Sequence, residues 1–182
     1  MSFVPKAVFF VTGKGFHKSK LGSFEQALRD ANIPIYNIVK VSSILPPYCL
    51  EIPKEDGFEQ LRPGQIIYTV LSRVSSNEYN RLISASVGVA KPADTRTYGY
   101  LSEYHEFGLK PEKAGDIAED LAAEMLATTL GVSFDPEANY DEKREIFKMD
   151  GKIVETKNFT ESATVREEGE WLTVLAAAVF II

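Results

Sequence analysis

Two consecutive serines, Ser42 and Ser43, follow an apolar stretch and precede Pro46 and Pro47. The hydroxyl of the second serine can attack the carbonyl carbon of the first, which turns the peptide bond between them into an ester. β-Elimination from residue 43 would break that ester and leave a dehydroalanine, which loses ammonia to become a pyruvoyl group. The pair therefore indicates a self-cleavage site in the precursor of an enzyme that makes its own cofactor.

The same residues also fit an ordinary strand end. Proline has no N–H to donate to a strand ladder and restricts the residue before it, so two prolines commonly end a strand. Serine is itself a frequent turn residue. The choice between the two interpretations depends on the residues that accompany the pair.

Two polar residues would suit acyl and proton-transfer chemistry. Asn37 lies five residues before Ser42 in a segment with strand-like alternation, and its amide could stabilise the oxyanion of an acyl shift. Glu103 lies among aromatic residues in the alternating segment 98–108. A carboxyl group against aromatic surface favours its neutral form and can donate a proton near neutral pH. Taken alone, Asn37 could equally face solvent, and Glu103 could be an exposed strand residue.

Hydrophobic periodicity predicts the elements that would position these residues. The helix over 111–130 begins at Pro111, ends at Gly131 and carries one apolar stripe, made of Ala114, Ile117, Ala118, Leu121, Met125 and Leu126. A second helix is predicted over 23–31, and segment 134–150 is ambiguous. Strands are predicted over 6–12, 34–43, 65–75, 82–91, 97–105 and near 152–165 and 171–182, with 11–15 as a loop leaving the first strand. Runs of strands with few helices indicate layered α+β structure.

Composition limits the function classes. A chain of 182 residues with 45% hydrophobic content is long enough for one core, so we predict a single domain over 1–182. The net charge of −6 argues against nucleic acid or an anionic membrane as a partner. The apolar residues 171–182 are too few to cross a bilayer and resemble a central strand, and the short apolar run 7–11 does not resemble a signal peptide.

The single cysteine, Cys49, rules out an internal disulfide and fits a reducing, cytoplasmic location. A thiol nucleophile paired with His17 or His105 is one interpretation, and a small buried apolar residue is the favoured one. The two histidines and one cysteine show no metal-ligand spacing, so no metal site is predicted.

Four features in this order resemble the pyruvoyl-dependent arginine decarboxylases over nearly the whole chain, from about residue 5 to the C-terminus. They are Asn37, the run VSSILPP at 41–47, ISASVGVA at 83–90 and GYLSEY at 99–104. The serine pair with its following isoleucine and prolines is the specific part of the resemblance.

The resemblance implies cleavage between Ser42 and Ser43, which gives a short subunit of residues 1–42 and a long subunit of residues 43–182. The long subunit would begin with a covalent pyruvoyl group made from Ser43. Asn37 would assist cleavage and Glu103 would donate a proton. L-arginine would form a Schiff base with the pyruvoyl ketone and be converted to agmatine and CO2 for polyamine biosynthesis, without pyridoxal phosphate. The implied fold is an αββα sandwich in trimers or dimers of trimers, with active sites between protomers.

Substrate choice is assigned to Glu25, which matches a family helix whose acidic residue, an aspartate in another member, faces the substrate guanidinium. Ser23 and Gln26 also form a capping-box pattern, in which a first-turn glutamate is favoured regardless of function. Two alternatives stay open: a pyruvoyl decarboxylase of another amino acid such as histidine, and a non-processed homologue acting as a subunit or binding protein. The joint presence of Ser42, Ser43, Asn37 and Glu103 argues against the second.

Overall fold

Two β-sheets and a few helices make up the part of the chain that the computed structural model describes, residues 3–134 and 153–182. The first sheet has the order β2 (Asn37–Lys40), β5 (Ile66–Ser76), β9 (Trp171–Ile181), β1 (Ala7–His17), β4 (Leu50–Glu51). The second has the order β3 (Ile44–Leu45), β7 (Gly99–Phe107), β6 (Leu82–Pro92), β8 (Ile153–Thr164). The helices are α1 (Lys20–Asp30), α2 (Lys54–Glu59) and α3 (Pro111–Leu130).

Strand β9 is the centre of the first sheet, as its apolar sequence predicts. It pairs antiparallel with β1 on one side and with β5 on the other, and every residue from Leu172 to Ile181 is buried. The short strands β2 and β4 pair parallel with β5 and β1 at the two edges. All pairs in the second sheet are antiparallel.

Side-chain alternation on β1 divides the core. Phe9 and Val11 pack in a cluster with residues of α1, whereas Val8 and Phe10 pack in a second cluster that also contains Val87 of the other sheet. Helix α3 packs against β6, β7 and β8. The predicted α+β class is confirmed: the chain is a single-domain α+β fold with two sheets.

The predicted loop over 11–15 is wrong, because β1 continues to His17. A Cβ atom at Gly13 would collide with the backbone oxygen of Ala27, and one at Gly15 with that of Ser23. The two glycines therefore let α1 lie directly on the strand, which is a packing role rather than a turn role.

Helix α1 begins earlier than predicted. Its N-cap is Ser19, whose hydroxyl accepts a hydrogen bond from the Gly22 N–H at 3.1 Å. The Ser23 side chain is buried and hydrogen bonds to Lys20 O and Thr173 Oγ1 instead. The proposed capping box is therefore wrong, and Glu25 lies beyond the first turn.

Helix α3 is confirmed with its predicted ends, Pro111 in the first turn and Gly131 as a left-handed C-cap with φ 68°. Its buried face differs in part from the prediction, since Leu121 is exposed. The small residues Ala122 and Ala123 are buried in its place, which brings the helix close to the sheet.

The predicted strand over 34–43 is reduced to β2, and two short strands and α2 follow where no element is predicted. The N–H of Cys49 donates to Pro46 O at 3.2 Å, and Tyr48 adopts φ 60° inside this turn. The strand predicted near 152–165 is β8. Most of the ambiguous segment 134–150 lies outside the described residues.

Candidate active site

The Ser42–Ser43 peptide bond lies where the chain passes from one sheet to the other. On its N-terminal side, the Val41 N–H donates to Thr69 O of β5 at 2.9 Å, one residue beyond β2. On its C-terminal side, the Ser43 carbonyl accepts from the Leu101 N–H of β7 at 2.7 Å. The chain on either side of the scissile peptide bond is therefore fixed by one hydrogen bond, to the first sheet before it and to the second sheet after it.

The backbone turns sharply at Ser43. The Ile44 N–H donates to the Ser42 carbonyl oxygen at 3.0 Å, which closes a three-residue γ-turn. Ser42 is exposed and Ser43 is half-buried. Ser42 faces a cavity of about 320 Å³ with mainly apolar walls, which include Phe3, Tyr68 and Phe180.

A second and larger cavity, about 470 Å³, lies beside the edge strand β2. Its polar lining residues come from β2, β5 and β7 and are Asn37, Lys40, Arg73, Glu103 and His105. Apolar residues of α1, β2 and β5 complete the walls, among them Phe24 and Leu71. Two of the sequence-predicted residues, Asn37 and Glu103, thus share one cavity.

Glu103 is tied to the segment that leads to the serines. The Lys40 ammonium group donates to Glu103 Oε2 at 2.8 Å, and the Glu103 side chain is 27% exposed. Because Lys40 lies two residues before Ser42, this ion pair ties Glu103 to the strand that leads to the serines, although Ser42 and Glu103 line different cavities. It also joins the edge of the first sheet to β7 of the second.

Asn37 is not brought to Ser42 within the protomer. Its Nδ2 donates to Gly64 O at 2.7 Å, and its backbone N–H donates to Gln65 O at 2.9 Å. The chain is extended from Asn37 to Val41, which separates these residues by about 13 Å at ~3.3 Å per residue.

Glu25 does not line the cavity of Glu103. It lies on α1, where its Oε1 accepts from Arg29 Nη2 at 2.7 Å, and its side chain is 42% exposed. Within one protomer the carboxylate is therefore occupied by an i,i+4 ion pair on the surface.

Cys49 packs against the core cluster shared by the two sheets. Burial raises the pKa of its thiol to about 11, although the nearby Lys91 ammonium acts in the opposite direction. A thiol with so high a pKa carries little thiolate at neutral pH, which favours the apolar interpretation over the nucleophilic one. Among residues 3–134 and 153–182, no group of three or more His, Cys, Asp and Glu side chains could hold a metal ion.

Comparison with known proteins places this chain in a family. The model of the pyruvoyl-dependent arginine decarboxylase family matches residues 7–182. A "Probable pyruvoyl-dependent arginine decarboxylase" of Chlorobaculum tepidum is 58% identical over 181 residues, 100% of this chain and 99% of that protein. A "Pyruvoyl-dependent arginine decarboxylase" of Nitrosopumilus maritimus is 48% identical over 182 residues and the whole of both chains. The chain belongs to the pyruvoyl-dependent arginine decarboxylase family.

A third relative is similar over almost the whole chain. The "Pyruvoyl-dependent arginine decarboxylase 2" of Methanosarcina mazei is 47% identical over 178 residues, 98% of this chain and 97% of that protein. The dependence of the family on pyruvoyl implies a covalently bound pyruvoyl prosthetic group. The expectation of a family member, drawn from the residues around the serine pair, is confirmed.

The residues at the crossing between the sheets fit such a group. Ser43 has the three-carbon skeleton that such a group requires, and its carbonyl oxygen accepts a hydrogen bond from the Leu101 N–H. The half-buried position of residue 43, between an exposed Ser42 and a buried Leu45, leaves one side of the unit accessible.

Several residues of this candidate site were not predicted from the sequence to belong to it. Lys40, Arg73 and His105 line the cavity with Glu103, and the backbone N–H groups of Ile44 and Leu101 contact the serine carbonyls. The position of Lys40, two residues before the serine pair, was a signal in the sequence that could have identified it. No side-chain type signals a backbone donor.

Among the helices of the described residues, none is long and apolar enough to cross a membrane.

Proposed function

We propose that the chain is a self-cleaving, pyruvoyl-dependent arginine decarboxylase that converts L-arginine to agmatine and CO2 for polyamine biosynthesis. The observation that carries the proposal is the Ser42–Ser43 peptide bond, turned sharply between the two sheets, with Glu103 drawn to the preceding residues by Lys40. The family relationship supports the reaction and disfavours a binding protein.

Cleavage needs only this chain and water. The Ser43 Oγ attacks the Ser42 carbonyl carbon, the C–N bond breaks, and the hydroxyl proton ends on the freed amine, so that an ester forms. Removal of the α-proton of residue 43 breaks the Cβ–O bond, which releases Ser42 as a carboxylate and leaves dehydroalanine. Dehydroalanine tautomerises to an imine, and water converts the imine to a pyruvoyl group with release of ammonia.

The two products of cleavage, 1–42 and 43–182, would remain together. Strand β1 of the short piece pairs with β9 on one side and β4 on the other, and β2 pairs with β5. The Lys14–Glu161 pair at 3.1 Å and the Lys40–Glu103 pair also connect the pieces. Cleavage therefore breaks one peptide bond without separating the two pieces.

For decarboxylation, the pyruvoyl group supplies an electrophilic ketone and an amide carbonyl that takes up electrons. The Leu101 N–H holds the oxygen of that carbonyl in place. Lys40 orients the Glu103 carboxylate, and a proton passes from the Lys40 ammonium through Glu103 to the substrate carbon after CO2 has left. The apolar walls formed by Phe24, Leu28 and Leu71 reduce the access of water.

We also propose an αββα sandwich that assembles into trimers with sites between protomers, in a cytoplasmic location that the single cysteine supports. Within its own protomer Asn37 does not reach Ser42, and Glu25 does not line the cavity of Glu103, so a neighbour would supply them. Large apolar side chains are exposed near the cleavage site and would be covered in the assembly; they include Phe3, Val39, Ile44, Tyr48 and Ile182. Sedimentation of a monomer under conditions that support activity would contradict the assembly.

Intact mass measurement tests self-cleavage. The purified 20.3 kDa chain should convert to two fragments that meet between residues 42 and 43. Ser43→Ala should stay whole, whereas Ser42→Ala should still be cut, because only the carbonyl of residue 42 takes part. An uncut parent chain after prolonged native incubation would refute the proposal, and cleavage of Ser43→Ala would point to another nucleophile.

A CO2-release assay with arginine, histidine, lysine and ornithine tests the substrate. Arginine should be preferred, and Glu25→Gln should raise the KM for arginine, because a neutral amide loses the charged, two-bond match to the guanidinium. A preference for another amino acid would overturn both the substrate and the role of Glu25.

A further inference from the structure

We propose that the backbone N–H of Ile44 is the oxyanion donor for the acyl shift, a step that rests on the self-cleavage proposed above. The Ser42 carbonyl oxygen is the atom that gains negative charge when the Ser43 hydroxyl attacks. The Ile44 N–H donates to this oxygen at 3.0 Å in the uncut chain. The donor is therefore in place before the reaction begins.

The local conformation allows attack and donation to occur together. Among the described residues, the non-glycine residues with positive φ are Asn32, Tyr48 and Asn80, so Ser43 has negative φ and the γ-turn is of the inverse, common type. The turn folds Ile44 back over the Ser42 carbonyl, while the Ser43 side chain leaves from the middle residue of the same turn. Attack by Oγ then closes a five-membered ring on the carbon whose oxygen Ile44 holds.

The hydrogen bond to Ile44 strengthens as the reaction proceeds. A hydrogen bond to an ionised oxygen is roughly twice as strong as one between neutral groups. An interaction that is stronger in the transition state than in the ground state accelerates the step. Loss of one oxyanion donor slows acyl transfer by about 10²–10³-fold in enzymes.

The surrounding hydrogen bonds keep the turn in register. The Leu101 N–H fixes the Ser43 carbonyl, and the Val41 N–H fixes the chain before Ser42. Asn37, the amide predicted for this role, donates to Gly64 O in the same protomer. Ile44 thus provides a donor within the chain, and an asparagine from a neighbouring protomer would be a second one.

An amide-to-ester replacement tests the donor. In full-length chain made by cell-free translation, Ile44 is replaced by its α-hydroxy acid, which removes the N–H and keeps the side chain. Cleavage between 42 and 43 should slow about 10²-fold, as followed by intact mass. Hydrolysis of the new ester between 43 and 44 gives a different mass and is scored separately.

The matched control is the same replacement at Leu50, whose N–H donates to Lys6 O at 2.9 Å, seven residues beyond Ser43. It loses one backbone hydrogen bond without touching the Ser42 oxygen, so its cleavage should stay within about threefold of the parent rate. Equal slowing of both variants, or a parent rate for the Ile44 ester, would overturn the donor role. A parent chain that stays whole would instead overturn self-cleavage itself, and the donor role with it.

A spectroscopic measurement keeps the proposal testable if the Ile44 ester folds poorly. In uncut Ser43→Ala chain with a ¹³C label in the Ser42 carbonyl, the Ile44→Pro change removes the same N–H. The labelled carbonyl stretch should move to higher frequency, because the oxygen loses its donor. An unchanged frequency would refute the hydrogen bond on which the proposal stands.

Discussion

The two sheets are connected differently at their two edges. At the edge of β4 and β8, Lys91 and Lys157 each contact both Glu51 and Glu155, with N–O distances from 2.5 to 3.4 Å. At the edge of β2 and β3, a Lys40–Glu103 pair lies beside an open cavity. The first edge is closed by a charge network within 43–182, whereas the pair at the second edge spans the proposed break.

The charge states at the closed edge support a stabilising role. A hydrogen bond from Lys157 lowers the pKa of the Glu155 carboxyl group, although its partial burial acts in the opposite direction. Burial acts to lower the pKa of Lys157, but hydrogen bonds to Glu155 and Glu51 outweigh it, and the pKa is raised. Both groups therefore favour their charged forms. The ion pairs at the closed edge connect the two sheets, whereas the ion pair at the open edge includes the carboxylate that we propose as the proton donor.

The largest effect on activity is expected from a change of Glu103 at the open edge. Glu103→Gln keeps the size of the side chain but cannot supply the proton, so decarboxylation should fall about 10²–10⁴-fold. Cleavage between 42 and 43 should remain normal, because the acyl shift uses other groups. CO2 release and intact mass measure the two steps separately.

Glu106→Gln is the matched control for this change. Glu106 lies three residues along the same strand, is exposed, and contacts the Phe107 N–H. It should decarboxylate at the parent rate. Full activity of Glu103→Gln would remove Glu103 from the mechanism, and an equal loss in both variants would indicate a general effect on β7.

Some elements of the fold follow from local sequence patterns, and others depend on contacts between distant residues. Helix α3 and strand β9 are predicted because caps and apolar periodicity are properties of neighbouring residues. Strand β3 has two residues and exists through its pairing with Gly99 and Tyr100, more than fifty positions away. Local patterns carry no information about such a contact.

The same limit applies to the site. Glu103 and Asn37 are predicted by residue type and the family motif, and the structure gives them one cavity. The contact of Lys40 with Glu103 joins residues 63 positions apart. The hydrogen bonds of Ile44 and Leu101 depend on the backbone alone, so no residue type announces them. The surroundings of Glu25 show a local pattern that predicts wrongly. The sequence predicts a capping box that begins at Ser23, but the Ser23 side chain is buried against Thr173 and the helix is capped by Ser19.

A smaller effect, on stability, is expected at the closed edge. Glu51→Gln removes the charge between two lysines whose side chains are only 22% and 28% exposed. We expect a loss of about 1–2 kcal/mol, between the values of exposed and buried pairs. Urea unfolding in the uncut Ser43→Ala background measures it. Glu59→Gln, an exposed change on α2, should cost much less, and an equal cost would contradict the network's role.

Acid should weaken the closed edge selectively. The folded-state pKa of Glu155 lies below its ordinary value of 4.5, so its contribution is present above that pH and is lost as pH falls through the folded pKa. The difference in unfolding free energy between parent and Glu155→Gln, both uncut, should therefore shrink as pH falls below 4.5. A difference that does not change with pH would show that the carboxylate charge is not what stabilises this edge.

The smallest effect is expected from the ion pair at the open edge. Lys40 is 55% exposed, and exposed pairs typically contribute 0–1 kcal/mol, so Lys40→Met in the uncut background should lower the unfolding free energy by about 0.5 kcal/mol. Lys18→Met, on an exposed residue, is the control. If Lys40→Met costs as much stability as Glu51→Gln, the ion pairs at both edges stabilise the fold equally, which would contradict the proposed difference between the edges. If its cost is small while decarboxylation falls, Lys40 acts by holding Glu103, because a purely structural pair would lower stability and activity together.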